Sequence, residues 1–249
     1  MKNILKLFKI NIFTYIYFLL CLITGYIKES LIIFLIIIIH ELGHLMISLI
    51  LHYKVIKCEL YPFGGLTLVD KKINVPLRDD LLIYCFGIIN QIIVGLIVLT
   101  FTNDNYAFLY YNKIIILFNL IPIYPLDGFH ILLTLLQYKI GFYKSLIIMK
   151  YVSILLLIIF SMFNYNQVVI ISFLIIQNIY YFKNIKNIFR RFLLERFLYH
   201  FSYKKITYFD AWDISKIRRD CLTCVKCNNY IYNERYYLVK IFDINPIFW

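Results

Sequence analysis

Long apolar runs alternate with short polar segments over the first three quarters of the chain. A helix needs about 20 mostly apolar residues to cross the hydrocarbon core of a bilayer. Six runs approach that length and predict six transmembrane helices, at residues 10–27, 31–51, 81–101, 106–123, 145–163 and 167–182. The pattern therefore predicts an all-α polytopic membrane protein.

Two segments depart from this simple pattern. An apolar piece at 126–136 follows Pro122 and Pro125 and is too short to cross alone, so we read it as the second half of a broken helix. Residues 54–72 carry β-type side chains around Pro62 and the pair Gly64-Gly65. They predict a short β-hairpin, or a loop, lying against the inner membrane face.

The last part of the chain differs in composition from the rest. Residues 183–249 are mixed in charge and rich in aromatic side chains, which predicts a small cytoplasmic region. We therefore divide the chain into a six-span domain at 1–182, with its core at 31–136, and a C-terminal tail or small domain at 183–249.

Charge supports the membrane assignment and predicts an orientation. Only 16% of the residues are charged, against roughly a quarter in soluble domains. The net charge of +12 is best explained by topology and attraction to lipid headgroups rather than by nucleic acid. Lys and Arg concentrate in segments 1–9, 52–80, 137–144 and 183–249. The positive-inside rule then predicts a multi-pass protein of the cell membrane with both termini cytoplasmic.

The second predicted span contains the sequence HELGH at 40–44. His40 and His44 are four residues apart, so on a helix both imidazoles can face one metal ion, with Glu41 beside it as a base. Ionisable groups inside spans are costly and usually functional. The alternative, a pair of hydrogen-bonded core histidines, explains the three residues less well.

A catalytic zinc ion is held by three protein ligands and keeps one open position. Asp127 is the strongest candidate for the third ligand, because it follows the two prolines that break the fourth span. Irregular backbone at membrane depth needs a cavity or polar partners. The alternative role for Asp127 is an interfacial helix cap after the proline turn.

HELGH, an FGG segment at 63–65 and NLIPIYPLDG at 119–128 together resemble the site-2 proteases, a family of intramembrane zinc metalloproteases. The resemblance covers roughly 31–136 and is greatest to the six-span branch typified by stage IV sporulation protein FB. It implies a Zn²⁺ cofactor held by His40, His44 and Asp127, with Glu41 as catalytic base. It also implies a role for Asn119 in holding the substrate backbone.

The resemblance implies a membrane-associated protein substrate, which in this branch is a sigma-factor precursor processed during sporulation, and regulatory membrane partners. An unwound substrate could add as a strand to an exposed sheet edge, for which Phe63, Gly64 and Gly65 are the candidate. A connector that only plugs the site is the alternative for this segment. Two other functions stay open: a non-enzymatic transporter or scaffold with a structural metal site, and an inactive relative that anchors a partner.

Overall fold

The computed structural model describes residues 8–61, 64–101, 106–164, 167–199, 201–203, 205–227 and 230–244. Most of these residues are helical. The helices are α1 (Ile12–Thr24), α2 (Ile27–Ile50), α3 (Leu77–Phe101), α4 (Tyr106–Asn119), α5 (Asp127–Gln137), α6 (Phe142–Phe163), α7 (Val168–Leu198) and α8 (Glu234–Ile244). The strands are β1 (Phe8–Ile10), β2 (Lys54–Tyr61), β3 (Gly64–Asp70), β4 (Lys205–Phe209), β5 (Cys221–Cys227) and β6 (Tyr230–Asn233).

The six predicted spans all correspond to helices, and the polytopic fold class is confirmed. Within the described residues, α2, α3, α6 and α7 are long and apolar enough to cross a membrane. The outward side chains of α3 fit contact with lipid, since Ile92, Leu96 and Leu99 are 45%, 57% and 60% exposed.

The first and fourth predicted spans form shorter helices than the apolar runs suggested. α1 and α4 have 13 and 14 residues, which gives each a length of about 20 Å. α1 ends at Gly25, whose φ of +83° is left-handed and terminates the helix. α4 ends at Asn119, ahead of Pro122, because the residues around a proline disfavour continued helix.

The chain forms two compact units. The first contains residues 1–71, 81–121 and 126–128. Its sheet has the strand order β1-β2-β3. β2 and β3 pair antiparallel, which confirms the predicted hairpin. β1 pairs parallel to β2, with Phe8 opposite Cys58, and was not predicted because three residues carry no readable pattern. Cys58 and Leu60 of β2 pack in one cluster with Ile37 of α2.

The second unit contains residues 72–80, 122–125 and 129–249. Its core brings Phe142 of α6 together with Phe192 of α7 and Leu238 of α8. The tail forms a second sheet in the order β4-β5-β6, which the sequence had not suggested. α7 continues through the predicted boundary at 182 as far as Leu198. The division into 1–182 and 183–249 stays a prediction.

Candidate metal centre

α2 carries two imidazoles and one carboxylate on buried positions of a single helix. The helix forms over an almost unbroken Ile- and Leu-rich run, and His40 and His44 are one turn apart on the same face. The Nε2 atoms of the two rings are 3.0 Å apart. Both histidines and Glu41 are less than one tenth exposed.

The third candidate ligand comes from the start of α5. The prolines at 122 and 125 separate this helix from α4. Asp127 is therefore the first residue of a new helix and is not part of a continuous span. Asp127 Oδ2 lies 3.0 Å from His40 Nε2 and 3.3 Å from His44 Nε2. The fold thus brings together the three side chains that the sequence nominated as ligands, and these are one group in the described residues that could hold a metal ion.

The hydrogen bonds on the far sides of the rings determine where the protons are. His40 Nδ1 lies 2.9 Å from the amide oxygen of Gln91, and His44 Nδ1 lies 2.7 Å from the main-chain oxygen of Ile83. Oxygen atoms of this kind accept hydrogen bonds, so each Nδ1 donates its proton. In the neutral ring that carries this proton, Nε2 presents a lone pair to the other ring and to Asp127.

Three lone pairs that meet at this distance repel one another unless a cation lies between them. Within the described residues, Asp127 Oδ2 is buried and accepts no hydrogen bond. Ligands bound to zinc at about 2.0–2.1 Å in a tetrahedron lie about 3.3 Å from one another. The measured separations of 3.0 to 3.3 Å are close to that value, so the donor set fits a Zn²⁺ ion.

Glu41 is held by β3 rather than by the three-residue cluster. Thr67 Oγ1 donates a hydrogen bond of 2.7 Å to Glu41 Oε2. Gly65 lies on the same face of β3 as Thr67, and a Cβ atom there would be only 2.6 Å from Glu41 Oε1. A larger residue at 65 would therefore displace the carboxylate. This arrangement leaves Glu41 beside the cluster with one oxygen fixed by Thr67.

One row of α3 residues lies against the two imidazoles, and it was not predicted from the sequence. Ile83, Gly87 and Gln91 repeat every four residues and so lie along one side of the helix. A Cβ atom on Gly87 would be 2.5 Å from His44 Nε2 and 2.7 Å from His40 Cε1, so only glycine lets the helix approach the rings. A polar residue and a glycine four apart inside an apolar span were the available signal.

Three other residues, Asn119, Gly64 and Phe63, were predicted to bind the substrate and not the metal ion. Asn119 is the last residue of α4 and is half-buried. Gly64 opens β3, and a Cβ atom there would meet nothing within 4 Å. Phe63 lies outside the described residues. Roles for these three residues in substrate binding stay predictions.

Comparison with known proteins adds the decisive observation. The chain is 30% identical over 131 residues to stage IV sporulation protein FB of Bacillus subtilis, which covers 50% of this chain and 46% of that protein. It is 30% identical over 151 residues to a zinc metalloprotease of Methanocaldococcus jannaschii, covering 55% of this chain and 44% of that one. The solved structure of a site-2 protease from the same archaeon matches with a TM-score of 0.53 and 27% identity, over 72% of this chain and 89% of that one.

By these matches in sequence and structure, the chain resembles the site-2 proteases. No family model matches it. This site-2 protease homologue is a multi-pass membrane protein, as the apolar helices predicted. The chain spans a little under half the length of the curated relatives it matches, so what those proteins do is carried to this one only as a proposal.

Proposed function

We propose that this site-2 protease homologue is a zinc-dependent intramembrane endopeptidase that cleaves a membrane-associated protein. The observation that carries the proposal is the convergence of His40 Nε2, His44 Nε2 and Asp127 Oδ2, three candidate ligand atoms within 3.3 Å of one another, next to the buried carboxylate of Glu41. These three residues would hold the Zn²⁺ ion, and a zinc ion held by three protein ligands would keep one position for water or substrate.

Zinc, when bound, makes a water nucleophilic near neutral pH and polarises the carbonyl of the substrate. Glu41 acts as general base: it takes a proton from the attacking water and returns it to the leaving amine. Thr67 holds Oε2 of this carboxylate, which leaves Oε1 to exchange the proton. The burial of Glu41 keeps bulk water from competing for that proton.

The substrate must be unwound before it can react, because a helical peptide bond is already hydrogen-bonded and shielded. β3 is an edge strand of the β1-β2-β3 sheet, and it carries Gly64 and Gly65. A substrate segment can add to that edge as a further strand, held by main-chain hydrogen bonds. We assign Phe63 and Asn119 to the same task of holding the extended substrate.

The distribution of Lys and Arg supports cytoplasmic termini and cleavage in the cytoplasmic half of the bilayer. In this orientation α2 runs inward, and His44 lies six residues before its end, about 9 Å along the helix. The name of the Bacillus relative supports a place in sporulation. The proposed substrate is accordingly a membrane-associated sigma-factor precursor, and membrane proteins are the proposed regulatory partners.

The test is co-expression with a tagged sigma-factor precursor, comparing wild type with Glu41→Gln. We expect the wild type to release a product with a new N-terminus and Glu41→Gln to release none, although it inserts normally and retains zinc. Glu29→Gln, which changes the acid in the first turn of the same helix, is the matched control and should cleave normally. Full cleavage by Glu41→Gln would refute the role of general base. Zinc binding without any cleavage by the wild type would favour a structural metal site instead.

A further inference from the structure

Two amide side chains lie deep in the apolar interior of the first unit. Gln91 of α3 is fully buried, and Asn112 of α4 is 5% exposed. An amide removed from water costs free energy unless its donors and acceptors are hydrogen-bonded. Such residues are therefore rare inside spans and mark function when they occur.

The two amides bond to each other and to one imidazole of the candidate metal centre. Asn112 Nδ2 donates to the main-chain oxygen of Gln91 at 3.1 Å, and Gln91 Nε2 donates to Asn112 Oδ1 at 3.4 Å. With its nitrogen facing Asn112, the amide of Gln91 turns its oxygen toward His40 Nδ1, 2.9 Å away. A flipped amide would present an N–H group to the ring and oppose the Nδ1–H form of His40.

The backbone spacing of α3 makes room for this arrangement. Gly95 follows Gln91 by one turn, and a Cβ atom there would lie 2.7 Å from Asn112 Nδ2. Alanine at this position would thus press on the amide group that orients Gln91. The row of α3 residues that places Gly87 beside the imidazoles therefore continues to Gly95, beside Asn112.

The two imidazoles differ in the partner of Nδ1, and the two amides are connected to only one of the rings, that of His40. His44 Nδ1 bonds to the main-chain oxygen of Ile83, which no substitution can remove. His40 Nδ1 depends on a side chain. Partners of this kind orient a metal-binding histidine, and their loss typically weakens metal affinity about 10–100-fold.

We propose that Gln91 and Asn112 are a positioning pair that tunes the affinity of the metal centre: Asn112 orients Gln91, and Gln91 holds His40 in the form whose Nε2 binds metal. The proposal rests on the proposed function, since it takes His40 as a ligand. Neither amide contacts the reacting atoms.

The experiment measures the Zn²⁺ dissociation constant of the purified full-length protein in detergent, by competition with a chromogenic chelator. Gln91→Leu removes the acceptor for His40 and should raise the dissociation constant about 10–100-fold. Gln91→Glu keeps an acceptor, and Asn112 can rotate its N–H group toward it, so binding should stay close to wild type. Asn112→Leu should weaken binding less than Gln91→Leu, and should add little to it in the double variant.

Asn90→Leu is the matched control. Asn90 precedes Gln91 on α3 and donates to the main-chain oxygen of Ile39 on α2, so its loss removes a bond between the same helices without touching a ring. It should leave the Zn²⁺ affinity unchanged. Equal affinity of Gln91→Leu and Asn90→Leu would overturn the proposal, as would equal losses in Gln91→Leu and Gln91→Glu.

The readout separates this inference from the proposed function. If the wild type binds Zn²⁺ but cleaves nothing, the endopeptidase assignment fails while the order of affinities still tests the pair. If the wild type binds no Zn²⁺, both fail. Should Gln91→Leu not fold, the comparison of Asn112→Leu with Asn90→Leu decides, and equal affinities there overturn the proposal.

Discussion

Two neighbouring glycines on β3 allow a sharp test of how Glu41 is positioned. A Cβ atom on Gly65 would lie 2.6 Å from Glu41 Oε1 and closer still to its Cδ and Cγ atoms, whereas one on Gly64 would meet nothing within 4 Å. Ordinary contact begins at 3.4 Å, so Gly65→Ala must move the side chain of Glu41 by more than about 0.8 Å or push the strand away. Either movement strains the 2.7 Å hydrogen bond from Thr67 to the same carboxylate.

We expect Gly65→Ala to lower kcat by about 10²-fold, because displacement of a reacting group by about 1 Å costs roughly that factor. This corresponds to about 2.7 kcal/mol of lost transition-state stabilisation. The zinc content should not change, since the three atoms nearest to a Cβ atom on Gly65 all belong to Glu41.

The assay is the cleavage of a tagged substrate in proteoliposomes at saturating substrate, with the zinc content measured on the same preparations. Gly64→Ala adds the same methyl group one residue away, and any effect of it should appear in KM and leave kcat intact. Equal kcat values for the two variants would refute the idea that Gly65 exists to admit the carboxylate of Glu41.

Three further predictions concern other contacts. Thr67→Val should lower kcat about 10–100-fold with zinc retained, because a hydrogen bond to a charged group contributes about 1.5–3 kcal/mol. Thr67→Ser keeps the hydroxyl group and should restore most of the activity, so an inactive serine variant would contradict this prediction. Gly87→Ala should lose zinc on dialysis that leaves the wild type loaded, since its methyl group would lie 2.5 Å from His44 Nε2. Arg196→Met should lower the free energy of unfolding by about 3–5 kcal/mol, measured by denaturant titration in detergent, because it leaves the buried Glu234 carboxylate without its cation; a change below about 1 kcal/mol would contradict it.

Much of the fold followed from local patterns along the chain. Apolar runs predicted the helices, and Pro122 and Pro125 predicted the break between α4 and α5. The hairpin of β2 and β3 was expected from β-type residues near Gly64. β1 and the second sheet were not expected, because β1 has three residues and pairs with residues 50 positions later. Short strands of this kind are decided by their partners and carry no pattern of their own.

The candidate site, like the fold, could be predicted from the sequence only in part. His40, Glu41 and His44 could be related to one another from the sequence alone, because four residues make one helical turn. Asp127 could be nominated from the helix break but not measured against the histidines. Gln91 appeared only as an isolated polar residue.

The sequence by itself determined that this chain would form membrane helices and that one of them would present two imidazoles on a single face. Those properties depend on residues within a few positions of one another. Only the tertiary structure decided that Asp127 reaches both rings, that Thr67 holds Glu41, and that oxygen atoms of α3 lie beside the Nδ1 atoms of the imidazoles. Each of these contacts joins elements far apart in the chain, and its geometry depends on how whole helices and strands pack, which no local pattern records.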